Sequence, residues 1–480
     1  MKNLYILYIA LLVIAVSGCN DKTVEPEPIL TIVKPDTSFC IENPTAHDFM
    51  QRSSSTFDID IPSFVNDRTF QNLRSTALDN GYRNDQSQSF AFDLPAKVGD
   101  AVHVTVYEKG GNQRLVYDET VEIKDSLQQF VLRNLVPGNT YHYSVTSGEN
   151  VLLSGAVSVT GQLRMISIDG SWNIRDQGGW KGWGGNTVRY EQLYRGGSLG
   201  GQNDGNETYL LSDDDISELY RIGIRAHLDL RALPGMGRWP EGELLNSFSL
   251  GKTMLRETAF INLSTDFSLF YPRGCSSAVG SVAWIIRQLH EGHPVYYNCR
   301  SGADRTGMLG YLLLGLFGCD EYASEGGGNQ LAIDYELTSL GMDEQGTVEY
   351  NTTGKHVKLY SNRFANLDAR SKSYFFGNIR TLEAPEDMPA LHSFMERCYY
   401  YLNRYFCDNN VPEAGRVFIN KSELDWLVNF MLGITDREGN LLPGHTEKFV
   451  GPSWAVEAES NTLEAAYNTA YRQQYQHSGN

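Results

Sequence analysis

The chain has 480 residues, of which 41% are hydrophobic and 20% are charged, and its formal net charge is −18. This length exceeds what one ordinary core needs and predicts two or three folded domains. So acidic a surface argues against nucleic acid as a general partner and against binding to anionic lipid through bulk charge. An anion such as phosphate would have to be bound locally, by a few arginines and backbone N–H groups.

The first 18 residues have the pattern of a secretory signal peptide. Lys2 gives a short positive start, residues 4–16 are mostly apolar, and small residues precede Cys19. This apolar run is too short to span a bilayer. Residues 19–28 are mostly polar and predict a flexible tether.

Residues 29–163 are predicted to form an all-β domain. Apolar and polar residues alternate at 89–94, 102–107 and 143–145, and turn residues such as those at 109–112 separate these runs. Such alternation is typical of half-buried strands. The region contains no motif that indicates catalysis.

Residues 164–435 predict an α/β domain, a central sheet flanked by helices, because strand and helix patterns alternate there. The expected elements are a strand at 226–230, a helix at 277–291, a buried strand at 294–298 and helices at 306–317 and 421–432. Ser422 is expected to cap the last of these helices. Residues 341–400 are predicted to be an insertion and residues 436–480 a partly helical C-terminal extension.

The chain has seven cysteines, which is sparse for its length, and none lies in a CxxC or Cys/His metal spacing. The sequence therefore predicts neither a disulfide framework nor a metal site. It contains no cofactor-binding motif either, and we expect no cofactor.

The segment 299–307, Cys-Arg-Ser-Gly-Ala-Asp-Arg-Thr-Gly, lies between the predicted buried strand and a predicted buried helix. Hydrolysis of a phosphomonoester needs an ionised nucleophile, donors around three phosphate oxygens and an acid for the leaving oxygen. The positive end of the helix would favour both a thiolate at Cys299 and a bound phosphate. Arg305 can bind two phosphate oxygens, and Thr306 can donate its hydroxyl to the sulfur. The residues expected around the phosphate are Arg300, Ser301, Gly302, Ala303, Asp304, Arg305 and Thr306.

This segment resembles the active-site motif of the protein-tyrosine phosphatase superfamily: a cysteine, any five residues, an arginine, then serine or threonine. Blocks at 172–179, 193–197, 228–231 and 332–337 follow the order seen in bacterial tyrosine/serine phosphatases, and the resemblance covers roughly residues 165–435. It implies that Cys299 is the nucleophile, which forms a phosphocysteine, and that Arg305 binds phosphate and stabilises the transition state.

The general acid has two candidates. Asp304 lies in the loop at a position that this bacterial branch often fills with aspartate, and Asp266 lies 33 residues before Cys299, a spacing like that of the mobile acid loop of the superfamily. Glu241, in a Trp-Pro-Glu sequence, is further away and less favoured. Arg195 and Arg231 are expected to support the loop or to pair with buried carboxylates. Asp176 and Asp229 are expected to bind backbone.

Two positions depart from the family pattern. Asn298 stands where the family usually has histidine, and asparagine can hydrogen-bond but cannot add charge. Ala303 stands where members that act on phosphoinositides usually carry lysine, although Arg300 could compensate if it points inward. The leading prediction is therefore a protein-tyrosine (tyrosine/serine) phosphatase acting on a phosphorylated protein or a small phosphomonoester. The alternatives are an inositol phosphate or phosphoinositide phosphatase, and a surface pseudophosphatase that binds phosphorylated ligands.

Two further resemblances lie before this domain. The residues 16–19 resemble the lipobox of bacterial lipoproteins, which implies lipidation of Cys19 and a lipid-anchored protein of the bacterial cell envelope, periplasmic or on the outer surface. Residues 135–141 resemble the corner of fibronectin type III domains, where a tyrosine, here Tyr141, binds nearby backbone within an immunoglobulin-like sandwich. The alternative is that Leu135 and Tyr141 are core residues of another β sandwich.

Overall fold

The computed structural model describes residues 32–51, 86–109, 114–168, 170–171, 173–197, 199, 201–202, 208–209, 211–230, 259–262, 272–299, 302, 304–323, 329–338, 348–352, 355–359, 391–404, 419–457 and 463. The predictions for the signal peptide and for Cys19 lie outside these residues. So do those for Arg231, Glu241, Asp266, Arg300, Ser301 and Ala303, and for the side chain of Asp304.

The described part of the first 163 residues is rich in β-strands. The strands are β1 (Ile32–Val33), β2 (Thr37–Cys40), β3 (Phe90–Asp93), β4 (Ala101–Lys109), β5 (Arg114–Glu122), β6 (Gln129–Leu132), β7 (Thr140–Ser147) and β8 (Asn150–Thr160). One sheet has the order β1-β8-β7-β4-β5, with β2 also paired to β8, and β3 pairs with β6 in a second sheet. The strands predicted at 89–94, 102–107 and 143–145 are confirmed as β3, β4 and part of β7.

The two sheets enclose a common apolar core. Along β4 the valines Val102, Val104 and Val106 are buried while their neighbours are more exposed, as the period of two requires. They belong to one cluster with Phe92 of β3 and Leu132 of β6. The alternation of apolar and polar residues in the sequence therefore reflects the burial of the apolar side chains between the two sheets.

Helix α1 (Pro44–Met50) lies within this β-rich region but does not belong to its core. Ala46 and Met50 are buried together with Leu163 and Met165, in the core of the following α/β region. The backbone N–H groups of Gln162 and Leu163 donate to the carboxylate of Glu42, each at 2.8 Å, and so connect the start of α1 to the end of the β-rich region. The sequence patterns did not predict this helix.

The second region contains a five-stranded sheet flanked by helices. Its elements are β9 (Arg175–Asp176), β10 (Leu193–Gly196), α2 (Asp213–Arg221), β13 (Ala226–Asp229), β14 (Ala259–Asn262), α3 (Pro272–His290), β15 (Val295–Asn298), α4 (Asp304–Leu316), α5 (Gln330–Glu336), α6 (Phe394–Asn403) and α7 (Lys421–Met431), with the pairs β11 (Gly201–Gln202) and β12 (Thr208–Tyr209), and β16 (Val348–Thr352) and β17 (Lys355–Leu359). The mixed α/β prediction is confirmed.

The strand β15 lies at the centre of the sheet, whose order is β14-β13-β15-β10-β9. It pairs in parallel with β13 and β10, and all four of its residues are buried. A central parallel strand is covered on both faces, which explains why its sequence is a continuous run instead of an alternation. The carboxyl end of β15 is thus placed where ligands usually bind in such sheets.

The helix boundaries differ from the predictions in three places. Helix α3 begins at Pro272 and α4 at Asp304, earlier than predicted. Ser422 is not the cap of α7, because Asn420 occupies that position and the Ser422 hydroxyl donates instead to Glu457 at 3.0 Å. Within the described residues no helix is both long and apolar enough to cross a membrane.

The C-terminal part of the predicted insertion is a core element. Helix α6 begins inside the range 341–400, and its Phe394 packs edge-to-face on Tyr311 of α4, with ring centroids 5.4 Å apart. Its Cys398 is fully buried. The described end of the insertion therefore supports the helix that follows the candidate loop.

The two regions are joined by buried polar contacts. The side-chain oxygen of Asn134 accepts a hydrogen bond from the backbone N–H of Ser167 at 2.6 Å, and the backbone carbonyl of Asn134 accepts one from Arg164 at 2.7 Å. Arg164 also donates to Asp176 at 2.8 Å, and both of these side chains are almost fully buried. Buried charged groups keep such directional contacts because leaving them unpaired is costly.

Candidate active site

Cys299 lies directly after the central strand β15 and is 2% exposed, with a free thiol. Gly302 follows in the loop, and α4 begins at Asp304. The structure therefore brings the predicted nucleophile to the carboxyl end of a buried parallel strand and close in sequence to a helix N-terminus. This is the strand, loop and helix order that the motif requires.

Gly302 is the loop residue whose backbone permits no side chain. Its φ angle is +71°, in the left-handed region that favours glycine. A Cβ atom there would collide with the backbone carbonyl of Gly196 at the end of β10 and would lie 2.8 Å from Nδ2 of Asn173. The loop therefore packs tightly against the adjacent strand, and this contact depends on glycine.

The carboxylate of Asp334 supports this contact from α5. It accepts hydrogen bonds from Arg175 Nε at 2.9 Å and from Arg195 Nη1 at 2.5 Å, and Arg195 Nη2 donates to the carbonyl of Gly302 at 3.0 Å. All three charged side chains are at most 2% exposed. Arg195 thus both supports the loop and pairs with a carboxylate, as predicted. We call these three residues the Asp334 ion-pair cluster.

The charges of this cluster shift each other's pKa values. Burial alone would raise the pKa of Asp334, but the guanidinium groups of Arg175 and Arg195 outweigh it and hold that pKa below its ordinary value. Burial, with the positive charge of Arg195, lowers the pKa of Arg175 to about 10. Asp334 and Arg175 are therefore both charged at neutral pH.

Asn173 and Asp334 are supporting residues whose roles the sequence analysis missed. The Asn173 side chain accepts from Arg175 Nη1 at 2.6 Å and donates to Thr338 at 3.2 Å. A signal for Asp334 was present in the sequence, where it stands between Ile333 and Tyr335. An acid between two residues of types that are usually buried indicates a buried cationic partner.

Arg305 and Thr306 stand at the beginning of α4. Arg305 is partly buried, and its Nη1 donates to the carbonyl of Leu230 at 3.0 Å, just beyond the end of β13. Thr306 is buried, and its hydroxyl has no hydrogen-bond partner among the described residues. The predicted hydrogen bond from Thr306 to the sulfur of Cys299 is therefore not formed in this structure.

The side chain of Asn298, at the position where a histidine is usual, bridges two groups. Its Nδ2 donates to the backbone carbonyl of Cys299 at 2.8 Å, and its Oδ1 lies 2.5 Å from Nε2 of His227 on β13. Both side chains are buried. His227 was noted in the sequence only as part of a strand, and no local pattern indicates this contact.

Asp176 binds backbone, as predicted. It accepts from the N–H groups of Gly178 at 2.9 Å and Glu191 at 2.8 Å, besides its pairing with Arg164. Asp229 is buried at the end of β13, opposite Asn298 in the register. No group of potential metal ligands occurs among the described residues.

Comparison with known proteins gives one family match. The model of the tyrosine phosphatase family matches residues 166–385, a range that includes the loop after β15. No curated protein matches the chain significantly. Among solved structures, the crystal structure of P. aeruginosa TpbA is similar at 15% identity, over 40% of this chain and 83% of that chain, with a TM-score of 0.21, which is too low to support an argument. The family match supports a phosphatase domain of the tyrosine phosphatase type within residues 166–385.

Proposed function

We propose that this protein is a phosphomonoester hydrolase that uses Cys299 as its nucleophile and acts as a protein-tyrosine (tyrosine/serine) phosphatase. The observation that carries the proposal is the buried thiol at the carboxyl end of the central parallel strand, three residues before the loop glycine and five before the N-terminus of α4. Backbone N–H groups at a helix N-terminus and a nearby arginine, here Arg305, are the donors that a phosphate dianion needs.

The proposed reaction has two steps. The thiolate of Cys299 attacks phosphorus, the bond from phosphorus to the leaving oxygen breaks, and a carboxylic acid, Asp304 or Asp266, gives that oxygen its proton. Water then attacks the phosphocysteine and loses a proton to the same carboxylate, the phosphorus–sulfur bond breaks, and inorganic phosphate and the thiolate are released. The buried Thr306 hydroxyl is available to donate to the departing sulfur.

The alternative of a non-catalytic surface protein rests on Asn298. This asparagine supplies a donor to the Cys299 carbonyl, so the backbone at the thiol keeps a hydrogen bond despite the missing histidine. The inositol phosphate alternative is less favoured because Ala303 stands at the position where a lysine would contact a polyanion.

A substrate panel tests the proposal. We expect the purified protein to hydrolyse an aryl phosphate and a phosphotyrosine peptide, with a kcat/KM at least about tenfold higher for that peptide than for inositol polyphosphates, because each missing cationic contact to a polyanion costs on the order of one such factor. Release of inorganic phosphate is the measurement. Asp304→Ala and Asp266→Ala are assayed in parallel, and the acid is the residue whose loss slows poor leaving groups most.

The controls of this panel separate the alternatives. Preferred turnover of inositol phosphates would show that the protein is an inositol phosphate phosphatase and not a tyrosine phosphatase. Phosphate binding without turnover of any substrate would favour the pseudophosphatase.

The β-rich region we propose to be a fibronectin type III-like sandwich. In its support, the hydroxyl of Tyr141 accepts a hydrogen bond from the backbone N–H of Val136 at 2.9 Å. The tyrosine thus binds backbone five residues upstream, the contact known as a tyrosine corner. The two sheets with one core agree with that architecture.

We also propose that Cys19 carries a lipid anchor and that the protein belongs to the bacterial cell envelope. On this proposal, Cys19→Ser should move the protein from the membrane fraction to the soluble fraction after expression in a bacterial host, since a lipid chain contributes about 0.8 kcal/mol for each buried CH₂ group. Immunoblots of the two fractions measure it. Cys40→Ser, at an exposed free cysteine, is the control. Retention of Cys19→Ser in the membrane fraction would contradict the proposal.

A further inference from the structure

The orientation of the Asn298 amide follows from what its two neighbours can do. The carbonyl of Cys299 can only accept a hydrogen bond, so the group 2.8 Å from it must be the NH₂ of the amide. The amide oxygen then faces His227 at 2.5 Å, and because that oxygen only accepts, Nε2 of His227 must carry the proton. A chain of two hydrogen bonds therefore runs from His227 through Asn298 to Cys299.

The sheet register places His227 for this contact. Strands β13 and β15 run in parallel, with His227 opposite Tyr296, so Asn298 lies two residues further along the same face. The rings of His227 and Tyr296 lie with centroids 5.6 Å apart. His227 is 1% exposed, so water does not compete for its Nε2–H.

We propose that His227 is a positioning residue for the nucleophile, acting through Asn298; this inference rests on the proposed function. By holding the Cys299 carbonyl toward Asn298, the chain of hydrogen bonds restricts rotation of the backbone at the nucleophile. Without His227, the side-chain amide of Asn298 could rotate until its oxygen faced the carbonyl oxygen of Cys299, and both of these atoms are acceptors. The proton on Nε2 of His227 prevents this rotation because it holds the amide oxygen.

Two substitutions of His227 separate the donor from the ring. His227→Phe keeps an aromatic ring but no donor, whereas His227→Gln keeps an N–H donor without the ring. We expect His227→Phe to lower kcat for an aryl phosphate about tenfold with KM nearly unchanged, and His227→Gln to remain within about threefold of the wild type, as the loss or retention of one buried hydrogen bond implies.

A second readout does not depend on turnover. The rate of alkylation of Cys299 by iodoacetamide at one fixed pH, followed by mass spectrometry of the peptide that contains it, should fall in His227→Phe and recover in His227→Gln. Asn298→Asp, which cannot donate to the Cys299 carbonyl, should slow alkylation as well, and it keeps the test available if His227→Phe does not fold. His142→Phe, at an exposed histidine of β7, is the matched control.

The outcomes distinguish this inference from the proposed function. If the wild type turns over and His227→Phe and His227→Gln give the same kcat and alkylation rate, the positioning role is wrong and the phosphatase stands. If the wild type does not turn over but alkylation falls in His227→Phe and recovers in His227→Gln, the proposed function fails and the positioning role stands.

Discussion

Replacing Cys299 by serine is expected to reduce turnover of an aryl phosphate by roughly 10⁴-fold or more, as removal of a covalent nucleophile does elsewhere. A cysteine thiolate is a strong nucleophile, whereas a serine hydroxyl is a weak one at neutral pH unless a base activates it. The change is nearly isosteric at a buried site, so the fold and phosphate binding should be retained. Steady-state kcat, together with phosphate affinity by calorimetry, measures both effects.

The matched control for this substitution is Cys319→Ser. Cys319 is a second buried free thiol, and burial raises its pKa well above the ordinary value, which makes it unreactive. Its replacement should leave kcat within about twofold, since only the reactive thiolate takes part in the proposed chemistry. A Cys299→Ser protein as active as the wild type would overturn the proposed mechanism.

Replacing Asp334 by asparagine is expected to lower the free energy of unfolding by about 3–5 kcal/mol, the typical cost of removing one partner of a buried ion pair. The substitution leaves the guanidinium groups of Arg175 and Arg195 buried without their counter-charge. It also removes the carboxylate that orients Arg195 toward the Gly302 carbonyl, so kcat should fall as well. Urea unfolding followed by tryptophan fluorescence measures the stability.

An exposed aspartate provides the comparison for Asp334. Asp118→Asn removes a pairing with His103 in which both side chains are about half exposed, and we expect a loss of less than about 1 kcal/mol. Equal midpoints of urea unfolding for Asp334→Asn and the wild type would show that the Asp334 ion-pair cluster does not stabilise the fold.

The loss of stability in Asp334→Asn depends on pH in a predictable way. The two guanidinium groups hold the pKa of folded Asp334 below its unfolded value. The carboxylate therefore stabilises the fold above about pH 4, the ordinary aspartate pKa, and this contribution is lost as the pH falls through the lower folded pKa. The stability difference between the wild type and Asp334→Asn should therefore shrink in acid and reach its plateau above about pH 5, roughly one unit beyond the ordinary pKa.

The sequence predicted what local spacing controls. A continuous apolar run, a glycine-containing loop and an apolar helix were sufficient to predict β15, the position of Cys299 and α4. Contacts between residues far apart in the sequence could not be predicted from it. Arg195 meets Asp334, and His227 meets Asn298, only once the strands have paired and the helices have packed on the sheet. The error at Ser422 has the same origin, since the hydroxyl is bound by the distant Glu457.

Helix α1 has a consequence for how the chain acquires its structure during synthesis. Ala46 and Met50 find their apolar neighbours Leu163 and Met165 only after the intervening β-rich segment has been made. At the usual rates of translation this delay is on the order of ten seconds. The strands between them can pair first, because their contacts are closer in sequence. Ala46 and Met50 therefore pack late onto the α/β region, and until they do, these apolar side chains remain available to chaperones or to a neighbouring nascent chain.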